Sequence, residues 1–209
     1  SSCGPMYLNG GTIANSTSAS RPIYNNVTMG GDFTFGGVSG YGTGLLTLSG
    51  MLDLGGATRL FTINSSVTIS GAVGNGGISK NGSGTLTLST SNSYTGPTTI
   101  YAGILQLGDG GGSGSVDVAS TVAIGPTGVL QYNRTNNLGS FPNTIIGTGT
   151  LIKTNTGELG LTGTNSFSGT LEIQQGNIAL SGAACANGRP SVKLGPNGTL
   201  SIGAGFVGG

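Results

Sequence analysis

The side chains best suited to acid–base chemistry in this chain are six carboxylates: Asp32, Asp53, Asp109, Asp117, Glu158 and Glu172. Two of them set across a glycosidic bond would suffice to cleave a polysaccharide, one as acid and the other as base or nucleophile. Their neighbours argue against it. Asp53, Asp117 and Glu172 each lie between two apolar residues, which places the carboxylate on the solvated side of a strand. Glu158 and Glu172 are 14 residues apart and fall on different strands. The chain has no His, which excludes a Ser-His-Asp triad, a Cys-His pair and a histidine metal site. Neither an enzymatic activity nor a cofactor is expected.

Two glycine-rich stretches imitate binding motifs. Residues 108–117 suggest a calcium-binding nonapeptide, but that motif puts Asp two residues after its last Gly, and Asp117 comes three after Gly114. A loop between regular segments is the better reading, and no metal site is expected. The run from Gly203 to Gly208 has the spacing of a phosphate-cradling turn, yet no helix follows it. With 7 basic and 6 acidic residues and a net charge of +1, the chain has no electrostatic footprint for nucleic acid or anionic lipid. Its apolar runs are too short for membrane insertion.

The elements that would position these residues are strands. Gly, Thr, Ser and Asn make up over half of the 209 residues, and charged residues are 6%, against about 25% in an ordinary domain. The apolar residues alternate: Phe33-Thr34-Phe35, Leu52-Asp53-Leu54, Val67-Thr68-Ile69, Leu86-Thr87-Leu88, Val116-Asp117-Val118, Leu171-Glu172-Ile173 and Leu200-Ser201-Ile202 all show period two. That is the mark of short strands buried on one face. No window carries a 3.6-residue stripe, so no helix is expected.

The strands repeat. Gly84 to Leu107 aligns without a gap on Gly157 to Leu180 at an offset of 73 residues, placing Asn92 on Asn165, Tyr94 on Phe167 and Gly103 on Gly176. Ile124 to Leu130 matches Leu194 to Leu200 at an offset of 70. Gly44 to Gly50 is a fainter copy of the strand at Gly84. Serial copies of a strand-turn unit predict an all-β solenoid, in which each coil covers the last. Glycines in turns such as Gly82-Ser83-Gly84-Thr85-Leu86 would form the coil corners. At roughly 20–25 residues per coil the chain makes about nine coils. At the strand spacing of ~4.8 Å they build a rod roughly 40–45 Å long. Residues 1–209 read as one domain, with 1–22 as a candidate N-terminal extension.

Residues 77–108 carry a family resemblance. Gly82-Ser83-Gly84-Thr85-Leu86-Thr87-Leu88-Ser89, then Asn92-Ser93-Tyr94-Thr95-Gly96, then Thr98 to Gly108 resemble the passenger-associated repeat of bacterial autotransporters. Val67 to Gly71 and Gly77 to Gly82 fit that family's lead-in, and a second copy spans 145–180. The resemblance implies a right-handed parallel β-helix, secreted and displayed at the bacterial cell surface. Autotransporters also carry an outer-membrane barrel, which this sequence lacks, implying a processed fragment or a free-standing protein that borrowed the repeat. No leader precedes Ser1, so either cleavage before Ser1 or another export route is expected.

On this framework the remaining candidates take their places. Tyr101 follows an inward Ile100 and should face solvent, as a surface contact for glycan. Tyr132 shares a face with Leu130 and would serve as a contact only where the strand has ended. Tyr94 occupies the position of Phe167 in the other copy, which marks it as packing. Cys3 and Cys185 should lie near opposite ends of the rod, roughly 35–40 Å apart, whereas a disulfide needs Cα atoms about 4.4–6.8 Å apart. They are candidates for a disulfide between stacked molecules, and two unpaired or buried thiols are the other reading. No amphipathic cap is evident at either end, and end-to-end docking of identical rods propagates into a filament. The expectation is a self-associating extracellular structural protein whose main partner is itself. An adhesin for glycan or host surface is the alternative, and a polysaccharide-active enzyme the third.

Overall fold

The computed structural model describes residues 4–37, 39–40, 44–181 and 188–203; Cys3 and Cys185 lie outside these. The first coil consists of β1 (Met6–Leu8), β2 (Thr12–Ile13) and β3 (Arg21–Ile23), one strand on each of three faces. The second repeats them with β4 (Val27–Met29), β5 (Phe33–Phe35) and β6 (Leu46–Leu48). Then β7 (Leu52–Ile63) bends around a corner and serves two faces, followed by β8 (Val67–Ile69), β9 (Val73–Asn81) and β10 (Thr85–Leu88). Two more bent strands, β11 (Thr98–Leu107) and β12 (Val122–Asn133), lead to β13 (Leu138–Phe141), β14 (Ile145–Gly147), β15 (Thr150–Thr154), β16 (Glu158–Leu161) and β17 (Ser166–Phe167). The described chain closes with β18 (Thr170–Leu180) and β19 (Ser191–Ile202). The fold is an all-β parallel solenoid of about nine coils.

Every strand pairing is parallel, and register holds like with like. On the third face Leu46, Val67, Leu86, Leu105, Leu130, Leu151, Leu171 and Val192 stack in one column. Beside it run Leu48, Ile69, Leu88, Leu107, Tyr132, Lys153, Ile173 and Leu194. On the second face Phe33 stacks on Phe61, with Phe35 edge-on to both rings at 5.3 and 5.8 Å between centroids. Buried apolar area of this kind contributes about 25 cal/mol per Å2, and here it forms a single continuous cluster along the rod.

Three sequence expectations change. Residues 6–23 are no extension: β1, β2 and β3 pair with β4, β5 and β6 as a full coil. Val116-Asp117-Val118 is not a strand. Asp117 accepts the amides of Ala119 at its carboxylate and Ser120 at its carbonyl, which turns the chain and leaves Val118 exposed. Several strands are also longer than the short units expected, because the backbone ladder continues around a corner, in β11 and β18 at a glycine with a positive φ. Gly103 (φ 66°) in β11 and Gly176 (φ 78°) in β18 are the two equivalent cases.

A Cβ at Gly103 would lie 2.4 Å from the Gly82 carbonyl oxygen in addition to needing a left-handed backbone. Gly103→Ala is therefore expected to lower stability by about 1–3 kcal/mol, read as an earlier urea unfolding midpoint. Gly139→Ala, with nothing within 4 Å of the new carbon, should move the midpoint by less than about 0.5 kcal/mol.

Candidate functional site

Alternation along β9 and β15 does something unusual: it turns a lysine inward. Ile78, Ser79 and Lys80 run in, out, in, as do Leu151, Ile152 and Lys153. Both ammonium groups are held in the interior, with Lys80 and Lys153 each 0% exposed. Lys80 lies between Phe61 and Ile100 in its column, and Lys153 between Tyr132 and Ile173.

Each ammonium donates to three backbone carbonyls of two successive corners. Lys80 Nζ reaches Gly82 O and Ala102 O at 2.8 Å and Asn81 O at 3.4 Å. Lys153 Nζ reaches Thr154 O at 2.5 Å, Asn155 O at 2.7 Å and Gln175 O at 3.5 Å. All six acceptors correspond at the 73-residue offset. A Cβ at Gly103 would come within 2.7 Å of Lys80 Nζ, and one at Gly176 within 3.0 Å of Lys153 Nζ, so glycine there leaves the ammonium its space. Burial lowers both side chains from the usual 10.5 to about 8.

A second paired device is an asparagine. Asn92 accepts the Val73 amide at 2.8 Å and donates to the Ser115 and Thr90 carbonyls. Its equivalent Asn165 accepts the Ile145 amide at 2.7 Å and donates to Gly163 O. On the first face, where residues 92–96 form no regular strand, Asn92 satisfies the neighbouring backbone in its place, and Asn165 does so on the second face just before β17.

The predicted contact residues separate. Tyr101 is 55% exposed on the corner of β11. Tyr132 is a correction: at 1% exposure it is no surface contact, because β12 continues to Asn133 and carries the ring inward above Lys153. The Lys153 ammonium and the Arg134 guanidinium each lie 5.6 Å from its ring centre, a cation–π arrangement on an apolar column. The Tyr132 hydroxyl has no hydrogen-bond partner among the described residues. Tyr94 packs inside, its hydroxyl bonded to Thr98 at 3.0 Å and Thr98 in turn to Ser120 at 2.8 Å.

The glycine-rich loop after β11 is also occupied from within. Arg134 donates to Gly112 O at 2.7 Å and Gly114 O at 3.0 Å, the carbonyls a cation would use. All six carboxylates accept a hydrogen bond from the chain itself: Asp32 from Leu60 N, Asp53 from Gly55 N, Asp109 from Gly111 N, Asp117 from Ala119 N, Glu158 from Asn177 and Glu172 from Gln174. No group of three or more His, Cys, Asp or Glu converges among the described residues.

The lysines supply a pH test. Their folded-state values lie below the unfolded 10.5, so between pH 8 and 10.5 the unfolded chain binds more protons and stability rises with pH. The buried phenols have the opposite sign. Burial raises Tyr132 to about 12 and Tyr94 further still, so stability falls as the unfolded phenols ionise above pH 10. The thermal midpoint should climb from pH 8 to 10 and then turn down. Lys80→Met with Lys153→Met should abolish the climb and cost about 1–3 kcal/mol at each site for carbonyls left without a donor. A wild-type midpoint that falls between pH 8 and 10 counts against this account.

No curated protein and no solved structure matches the chain. A family model does match, at residues 78–107 and 151–180, and it describes the passenger-associated transport repeat, which is not an identified enzyme family. Both matches hold the lysine, the asparagine, the inward aromatic and the corner glycine described above. Two segments of the chain thus match the passenger-associated transport repeat and lie on a parallel β-solenoid, which is consistent with an autotransporter passenger-like repeat domain.

Proposed function

We propose that this protein is a secreted structural subunit that associates end to end, coil upon coil, into an extracellular filament or surface layer. The observation that carries the reading is β19. Leu194 continues the buried column of Leu107, Tyr132, Lys153 and Ile173, yet is 58% exposed, and Val192 and Ile202 are exposed with it. Its outer edge has no strand partner among the described residues.

The first coil offers the matching edge. The two halves of β19 lie on the third and first faces, as do β3 and β1, and Met6, Leu8 and Ile23 are only half-buried. A second copy stacked there would extend both columns and both ladders in register. Such a contact joins unlike ends and propagates. A net charge of +1 sets little repulsion against it. The repeat itself implies a secreted or surface-exposed chain.

Electron microscopy of the purified protein, with and without reductant, tests the reading. Filaments with an axial repeat of about 40–45 Å are expected, the length of one rod. Their loss on reduction would place a Cys3–Cys185 disulfide between subunits. Leu194→Lys combined with Ile202→Lys should leave isolated rods. Isolated rods from the unmutated protein, in both preparations, would overturn the filament. A second reading, an adhesin, draws support from Tyr101 standing clear of the corner; selective glycan or receptor binding by the monomer would favour it.

A further inference from the structure

One stretch of the first face is hollow. Its outward positions read Tyr7, Thr28, Asp53, Gly74 and Ser93 down successive coils, and at Gly74 there is no side chain. The gap opens into two lobes of about 240 and 280 Å3, which share Asn75 and Ser93 as a common wall. One lobe reaches Asp53 and Met51, the other Thr58 and Thr95.

The hollow is held open by a built corner. Three residues of β7, Leu54 to Gly56, stand against Asn75 alone in β9, so β7 bulges outward. Arg59 pins the bulge, donating from Nε to Leu54 O at 2.8 Å and from Nη1 to Gly30 O at 3.0 Å. Asn75 takes a left-handed backbone (φ 58°) and donates to Asp53 Oδ1 at 2.8 Å, which also accepts the Gly55 amide at 2.7 Å. Asp53 Oδ2 has no hydrogen bond among the described residues.

We propose that this groove binds a neutral oligosaccharide, with Asp53 and Asn75 as the pair that reads ring hydroxyls. A carboxylate and a carboxamide fixed side by side present acceptors and donors at the separation of vicinal hydroxyls. Ser93 and Thr95 on one coil and Thr58 two coils away, about 10 Å along the rod, add hydroxyl partners, and the exposed Met51 offers an apolar ledge for the C–H face of a sugar ring. The lining holds one negative charge and no cation, which disfavours phosphate, sulfate and acidic sugars. One carboxylate is too few for a calcium site, which draws on several oxygen ligands. Two lobes suit at least two sugar units.

The inference is independent of end-to-end stacking, which uses other residues. Its test is an array of neutral oligosaccharides (glucans, mannans, galactans and chitin fragments) probed with the full chain, with calorimetry on any sugar retained. Retention of one class is expected, lost at least tenfold in Gly74→Phe and in Asp53→Asn. Gly74 has an ordinary backbone, and a new Cβ would meet only the Ser93 hydroxyl, at 3.2 Å, which gives by a few tenths of an ångström as the ring fills the groove. An unchanged melting temperature for Gly74→Phe shows that lost binding is not lost folding. Tyr24→Ala, at an exposed residue outside the groove lining, should bind as the parent does. No retained sugar, retention equal in Gly74→Phe, or calcium binding without sugar binding overturns the proposal; filament formation by Gly74→Phe is unaffected in every case.

Discussion

Everything in this molecule follows from the parallel backbone ladder. Hydrogen bonds between coils hold each strand about 4.8 Å from the next and in register, so a residue is covered above and below by the residues at the same position of its neighbours. Leucine on leucine satisfies that demand along the third face. Glycine satisfies it at corners, where the Gly103 backbone passes too close to Gly82 O for any side chain. The ladder also creates its own difficulty. At the corners beside Lys80 and Lys153 carbonyls turn inward, and buried carbonyls need donors.

The two lysines answer that difficulty. A charge in an apolar column is costly to desolvate, but each ammonium gathers three corner carbonyls from two successive coils. Lysine thereby acts as a cross-coil tie whose hydrogen-bond acceptors are all backbone carbonyls. In both repeat copies the lysine and the corner glycine serve one closed corner, as the donor and the space it needs, while the asparagine pairs with backbone at the following corner.

The alternation of Leu86-Thr87-Leu88 and its copies made the solenoid legible, since a period of two with regular glycine punctuation admits few other architectures. Tyr94 was legible as packing because its counterpart is Phe167, which has no polar atom to offer. The lysines carried a signal in the same parity that identified the strands, as Ile78 and Lys80 share a phase, but charge at an inward position reads as an exception until its acceptors are seen. Tyr132 turned on where β12 stops, which depends on pairing with β15 and not on local composition. Asp117 broke an apparent strand through its own turn-forming hydrogen bonds. The groove beside Asp53 was illegible for another reason: it arises from a bulge between β7 and β9, visible only when two coils are set side by side. Pairing adds a further point. The lysine strand β9 stacks on the second face and its copy β15 on the third, so 73 residues amount to three coils and one face more. The repeat is thus a local unit that any face can accept.

The placement of the basic residues has a consequence for resistance to proteases. Trypsin-like proteases need an accessible Lys or Arg that is not followed by proline. Of the seven here, Lys80, Lys153 and Arg134 are buried, and Arg59 is half-buried in its clamp. Arg21 and Arg189 are exposed, but Pro22 and Pro190 follow them. Only the Lys193–Leu194 bond in β19 remains an ordinary exposed target. A chain that spends its cations on interior carbonyls has, by the same stroke, hidden nearly every point at which this class of digestive enzyme could cut it.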